Sequence, residues 1–125
     1  MNNVTSTDGT TIAFDLSGEG QPVIIVGGAF SDRKHFVLTQ IADLLASEFT
    51  VYNYDRRGRG DSTDGPAYDV AREIEDLAAL VEHAGGSAHV IGLSSGAALA
   101  LRAAASKVNI TTLALHEPPF VEGQD

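Results

Sequence analysis

The sequence contains no cysteine, no tryptophan and a single methionine. Without cysteine there is no disulfide scaffold, no thiolate-bound zinc and no thiol nucleophile. That composition suits a reducing compartment, and a cytoplasmic location is the expectation. Basic residues are also scarce: 8 Lys+Arg stand against 17 Asp+Glu, a net charge of −9 with a pI near 4.6. Nucleic acid and anionic membrane both require clustered positive charge, so neither is expected as a partner. No apolar run approaches the ~20 residues of a membrane span. The polar stretch Met1 to Thr11 lacks the basic and apolar regions of a signal peptide.

What is present is an ordinary globular balance, 43% hydrophobic and 20% charged over 125 residues. One domain spanning residues 1–125 is expected. Four runs read as buried strands: Val23 to Val26, Phe49 to Tyr54, His89 to Leu93 and Ile110 to Leu115. They are continuous rather than alternating, the mark of a parallel sheet covered on both faces. Asn3 to Ser6 and Thr11 to Leu16 flank Asp8-Gly9, a hairpin signal, and predict an antiparallel pair at the sheet's edge.

Helical periodicity covers Phe36 to Ala46, Asp69 to His83 and Ser95 to Lys107. In the second, Val70, Ile74, Leu77, Val81 and Ala84 share one face, while Arg72, Glu73, Glu75, Asp76 and Glu82 fall elsewhere. Asp69 is the expected N-cap and Gly85 the expected stop. The third is nearly all alanine and leucine, as befits a helix packed closely on a sheet. Alternating strands and helices predict a three-layer α/β/α fold with a mostly parallel sheet.

The chemistry-bearing segment is Gly92-Leu93-Ser94-Ser95-Gly96, a G-x-S-x-G with Ser94 at its centre. It lies where an apolar strand ends and an alanine-rich helix begins, the strand-to-helix turn this motif requires. A serine there projects clear of the backbone, and the following helix directs its positive end at the same spot. A helix-capping serine with packing glycines is the alternative. Gly27-Gly28-Ala29 follows the first buried strand, where bare N–H groups can face developing negative charge; a simple connecting turn is the other reading. The charged stretch Tyr54 to Ser62 fails the G-x-G-x-x-G phosphate pattern, because Thr63 stands where the third glycine belongs. A self-paired loop shaping the crevice rim is expected instead. No metal-binding spacing is present.

Together, in order and spacing, the Gly27-Gly28 turn, the Asp55-Arg56-Arg57-Gly58-Arg59-Gly60-Asp61-Ser62 loop, the Gly92-to-Gly96 turn and Glu117-Pro118-Pro119-Phe120 resemble the α/β-hydrolase superfamily. The likeness spans the whole chain but only the N-terminal portion of that fold, through strand six, without the last two strands or the lid. It implies a cofactor-free serine hydrolase acting on an ester or related acyl bond of a small molecule. Ser94 would be the nucleophile, with the backbone N–H groups of Ser95 and Ala29, or Phe30, as oxyanion hole. Gly27 stands where the family usually has histidine.

The family's chain order is Ser, acid, His. Glu117 is the candidate acid, at the less usual position after strand six. The four histidines fit the base poorly. His83 ends a helix, and His89 starts the strand leading to Ser94, at the wrong end of the sheet. His35 could border the crevice, and His116 ends the neighbouring strand. The catalytic histidine is therefore expected from a C-terminal part supplied elsewhere, leaving the 125 residues nearly inactive alone. A non-catalytic binding or assembly domain is the alternative. In either case a complementing chain, or another copy, is expected to cover the Ile110–Leu115 edge.

Overall fold

A computed structural model describes residues 1–29, 31–65 and 69–116. Six strands and three helices follow in chain order: β1 (Asn2–Thr5), β2 (Thr11–Ser17), β3 (Gln21–Val26), α1 (Phe36–Leu45), β4 (Phe49–Tyr54), α2 (Val70–His83), β5 (Ala88–Leu93), α3 (Ser95–Ala105) and β6 (Ile110–His116). They form one sheet in the order β1-β2-β4-β3-β5-β6. The Asp8-Gly9 turn joins β1 to β2 antiparallel, with Asn3 opposite Ala13, and β2 also runs antiparallel to β4. The remaining pairs, β4 with β3, β3 with β5 and β5 with β6, are parallel. The predicted architecture, including the edge hairpin, is the one observed.

Helices cover both faces because the chain changes direction at β3. From β3 it moves outward through α1 to β4, then returns through α2 to β5 on the other side of β3. Right-handed crossovers in opposite directions place their helices on opposite faces. Leu38 and Ala42 of α1 accordingly pack on Ile25 and Val51. Leu77, Leu80 and Val81 of α2 and Leu99, Ala100 and Ala103 of α3 pack on Ile24, Val26 and Val90 across the sheet. The carboxyl ends of β3 and β5 thus diverge into different helices, leaving the crevice where ligands bind in open α/β sheets.

Two expectations are corrected. Ile110 to Leu115 does form a strand, but β6 is not buried: its residues are half-buried or exposed. Its exposure follows from its place at the sheet's edge. In α2, Glu73 and Asp76 fall on the buried side with Leu77 and Leu80, each only 1% exposed. Among the described residues, no helix is long and apolar enough to cross a membrane.

Candidate active site

β5 ends at Leu93 and α3 begins at Ser95, so one residue, Ser94, makes the whole turn. Its φ of 55° and ψ of −125° are unusual for a residue bearing a Cβ, a conformation costing about 1–3 kcal/mol. The main chain holds it there. Ser94 N–H donates to the carbonyl of His116 at 2.9 Å, and the Ser94 carbonyl accepts from Ala97 N–H at 2.9 Å. The flanking glycines let the segments approach. A Cβ on Gly96 would lie 2.2 Å from the Val26 carbonyl oxygen, and one on Gly92 would lie 2.7 Å from Ala97 Cα. Ser94 is exposed, and its side chain makes no capping hydrogen bond to α3. A helix-capping role is thereby removed.

The loop after β3 closes over this turn. A Cβ on Gly28 would stand 3.7 Å from that of Ser94. The Gly28 carbonyl accepts from Ser31 through both its N–H, at 3.4 Å, and its hydroxyl, at 3.2 Å. The adjoining Ala29 N–H donates to Ser95 Oγ at 2.8 Å. Ser95 Oγ also accepts from Arg56 Nη1 at 3.1 Å, and the same nitrogen donates to the Gly27 carbonyl at 3.3 Å. Ala29, Ser94 and Ser95 are thus brought together, with the Ala29 amide engaged by a side chain. The Ser95 N–H, at the positive end of α3, has no acceptor among the described residues. Phe30 and Glu117 lie outside the described residues.

The charged loop after β4 anchors this arrangement, though not by pairing with itself. Arg56 is buried and forms a two-pronged pair with Glu73 of α2, at 2.7 Å through both Nε and Nη2. Arg57 pairs in the same way with Asp76, at 2.8 and 2.7 Å, and with Asp8 of the hairpin turn at 2.9 Å. Asp55, wholly buried, binds Arg33 through its backbone N–H at 2.7 Å and through its guanidinium. Arg33 also reaches Asp15 at 3.0 Å and Asp61 at 2.9 Å. The ion-pair partners therefore come from other elements, and the expectation of a self-paired loop is corrected. The loop's internal bonds each involve a main-chain group instead: Asp61 N–H donates to the Asp55 carboxylate, and Arg59 Nη1 donates to the Arg57 carbonyl.

These contacts move proton affinities in the expected directions. The hydrogen bond from Arg57, aided by those from Thr10, holds the Asp8 carboxyl well below the usual carboxylate range. The hydrogen bond to Asp76 raises Arg57 against the opposing effect of burial. Burial favours loss of the Arg33 proton, but the hydrogen bond to Asp61 and the charge of Asp55 outweigh it. Burial pushes the Tyr54 hydroxyl far upward.

Among the described residues, no histidine ring nitrogen bonds to Ser94. His35 caps α1, its Nδ1 accepting from Val37 N–H at 3.3 Å. His83 Nδ1 lies 2.9 Å from the Tyr52 hydroxyl, and His89 Nε2 lies 2.7 Å from Gln21 Oε1. His116 meets the turn through its carbonyl, while the residue itself is exposed. Among the described residues, no cluster of three or more histidines and carboxylates is placed to hold a metal. A cavity of about 260 Å³ opens beside the β3 loop, lined by Ala29, Ser31, Asp32, Arg59 and Gly60. A more apolar groove of about 300 Å³, involving Leu45, Phe49, Ile91 and Ala114, includes no residue of the Ser94 turn.

Arg33 was missed by the sequence reading, and it carried no local signal, since its partners lie on β2 and in the loop after β4. Glu73 and Asp76 did leave one. They stand four and one positions before Leu77, at the i, i+3, i+4 spacing of a single helix face.

Comparison with known proteins agrees with this geometry. The sequence profile described as the alpha/beta hydrolase family matches residues 23–124. An alpha/beta hydrolase from Sphaerobacter thermophilus superposes with a TM-score of 0.91 at 58% identity, covering 95% of this chain and 46% of that one. A thermophilic esterase from Thermogutta terrifontis, solved with malate bound, gives 0.80 at 31% identity, covering 91% and 44%. N-formylmaleamate deformylase from Pseudomonas putida is 35% identical over 106 residues, 82% of this chain and 39% of that protein. The chain spans less than half the length of each of these relatives. With the profile matched over most of its residues and the same sheet superposing on solved hydrolases, the chain belongs to the alpha/beta hydrolase family and covers the N-terminal region of its catalytic domain.

Proposed function

We propose that this chain is the nucleophile-bearing part of a serine hydrolase that cleaves an ester or related acyl bond in a small molecule. The observation that carries the reading is Ser94 itself: exposed, at positive φ, and with no capping bond to the helix it precedes. Backbone strain of this kind marks sites where the surrounding structure over-determines one residue. The esterase and deformylase among the relatives both act on acyl groups, which supports the same bond type.

In the reaction, Ser94 Oγ attacks the acyl carbon while its proton passes to a histidine supplied by a C-terminal part of the fold. The carbonyl oxygen gains the negative charge and accepts from the Ser95 N–H and from the loop after β3, at Ala29 or Phe30. Collapse breaks the bond to the leaving group, which takes the histidine's proton. Water, deprotonated by the same histidine, then attacks the acyl carbon, and the Oγ–acyl bond breaks as the histidine returns that proton to Ser94 Oγ. Glu117 is the candidate to orient that histidine. Loss of a triad member typically costs 10⁴-fold or more, so the 125 residues alone should be nearly inactive.

The test is fluorophosphonate labelling and p-nitrophenyl ester hydrolysis in the protein assembled with that C-terminal part. Label on Ser94, and loss of both signals in Ser94→Ala, are expected. Full hydrolysis by Ser94→Ala would overturn the assignment.

A further inference from the structure

The amide that the oxyanion hole would draw from the β3 loop is already engaged: Ala29 N–H donates to Ser95 Oγ at 2.8 Å. Resting on the proposed function, we infer that the Ser95 side-chain hydroxyl is itself an oxyanion donor, standing between the charge and the Ala29 amide. A hydroxyl offers two acceptor positions and one hydrogen. Both acceptor positions are filled, by Ala29 N–H and by Arg56 Nη1 at 3.1 Å. The remaining hydrogen has no acceptor among the described residues, and Ser95 is half-buried directly beside exposed Ser94. Two donors, one of them cationic, pull electron density from the oxygen and make that hydrogen a stronger donor.

The placement is held from both sides. Glu73 fixes the Arg56 guanidinium through two bonds of 2.7 Å, and Arg56 also ties the Gly27 carbonyl at 3.3 Å. The Gly28 carbonyl, on the same peptide unit as the Ala29 N–H, is held by Ser31. Ser95 would therefore contribute two donors to one oxyanion, its N–H and its O–H. The Ala29 amide then acts through the second, which replaces the direct contact that the proposed function allowed it. A donor organised before the reaction needs no rearrangement as charge develops.

The experiment uses the assembled protein with p-nitrophenyl acetate and a fluorophosphonate, comparing wild type, Ser95→Ala, Ser95→Thr and Ser95→Val. Threonine and valine are nearly isosteric, so that pair isolates the hydroxyl from packing. Removal of one oxyanion donor generally costs about 10²–10³ in kcat. Here Ser95→Ala and Ser95→Val are expected to lose roughly 10- to 100-fold in kcat, with KM nearly unchanged and fluorophosphonate labelling of Ser94 slowed in parallel. Ser95→Thr is expected to stay within a few-fold of wild type. Equal kcat for the Thr and Val variants, or a faster Ser95→Ala, would overturn the inference: the hydroxyl would then merely occupy the Ala29 amide. Wild-type protein that leaves Ser94 unlabelled would instead defeat the underlying hydrolase reading, and this inference with it.

Discussion

His116 meets Ser94 through its main chain: the carbonyl accepts the Ser94 N–H at 2.9 Å, continuing the register that pairs Leu93 with His116. The strand next to that of Ser94 therefore fixes the turn through its main chain, with no bond from the His116 ring to Ser94. His116→Ala is expected to retain hydrolysis within about threefold of wild type, since truncating an exposed side chain away from special contacts changes little. Steady-state kinetics on the assembled protein would check this. A loss of several orders of magnitude would make His116 the base.

Gly96 lies against the carbonyls of Val26 and Gly27, where a Cβ would stand at 2.2 and 2.5 Å. Both atoms are backbone, so neither can rotate away. Gly96→Ala is expected to destabilise the protein by about 3 kcal/mol, at the upper end for overpacking. Activity should fall as well, because β3 and the turn are forced apart. Urea denaturation reads the first effect and ester hydrolysis the second.

Asp76 is the buried partner of Arg57, and Asp8 is the more accessible one. Asp76→Ala leaves a buried guanidinium with one carboxylate, and breaking such a pair typically costs about 3–5 kcal/mol. The Asp8 contact remains, so a loss near the lower figure is expected. Replacing both members, as in Arg57→Met with Asp76→Leu, should recover part of that loss. Chemical denaturation of the single and double variants measures both.

The Asp8–Arg57 pair also gives acid stability a definite sign. The Asp8 carboxyl titrates below its ordinary value of 3.8 because the folded state favours the charged form. The unfolded chain therefore binds the proton more readily, and stability decreases as pH is lowered through this window. The contribution is complete above about pH 4 and disappears as pH drops through the lower folded value. Asp8→Asn should be less stable than wild type at pH 7, with the difference in melting temperature narrowing as pH approaches 2. A constant difference across that range would contradict the pairing.

Local grammar made much of the fold readable. The apolar runs at Val23 and His89, the period of Val70 to Ala84 and the Asp8-Gly9 turn each specify their element from neighbouring residues alone. The turn at Ser94 was readable for the same reason, since glycine spacing and strand-to-helix context sit within a few positions of it. The charge network was not. Arg33 finds Asp15, Asp55 and Asp61 only once β2 and the loop after β4 are folded beside it. Glu73 and Asp76 look like solvated charges until Arg56 and Arg57 arrive from another segment to satisfy them. The burial of β6 was misread because an edge strand's exposure depends on what lies beyond it, not on its own composition. The hydrogen bond from Ala29 to Ser95 was equally hidden, since it joins residues 66 positions apart.

The two margins of the sheet differ in a way that fixes how it can grow. β1 is a four-residue antiparallel strand, whereas β6 has seven residues and joins its neighbour in parallel. A further parallel strand aligned on β6 would extend the sheet away from the hairpin. Among the described residues Ser94 stands one strand from the rim; each added strand would shift it toward the middle, with carboxyl-end loops arriving on the flank beyond β6. The Ser94 hydroxyl would then be enclosed from both directions without any change in its own turn.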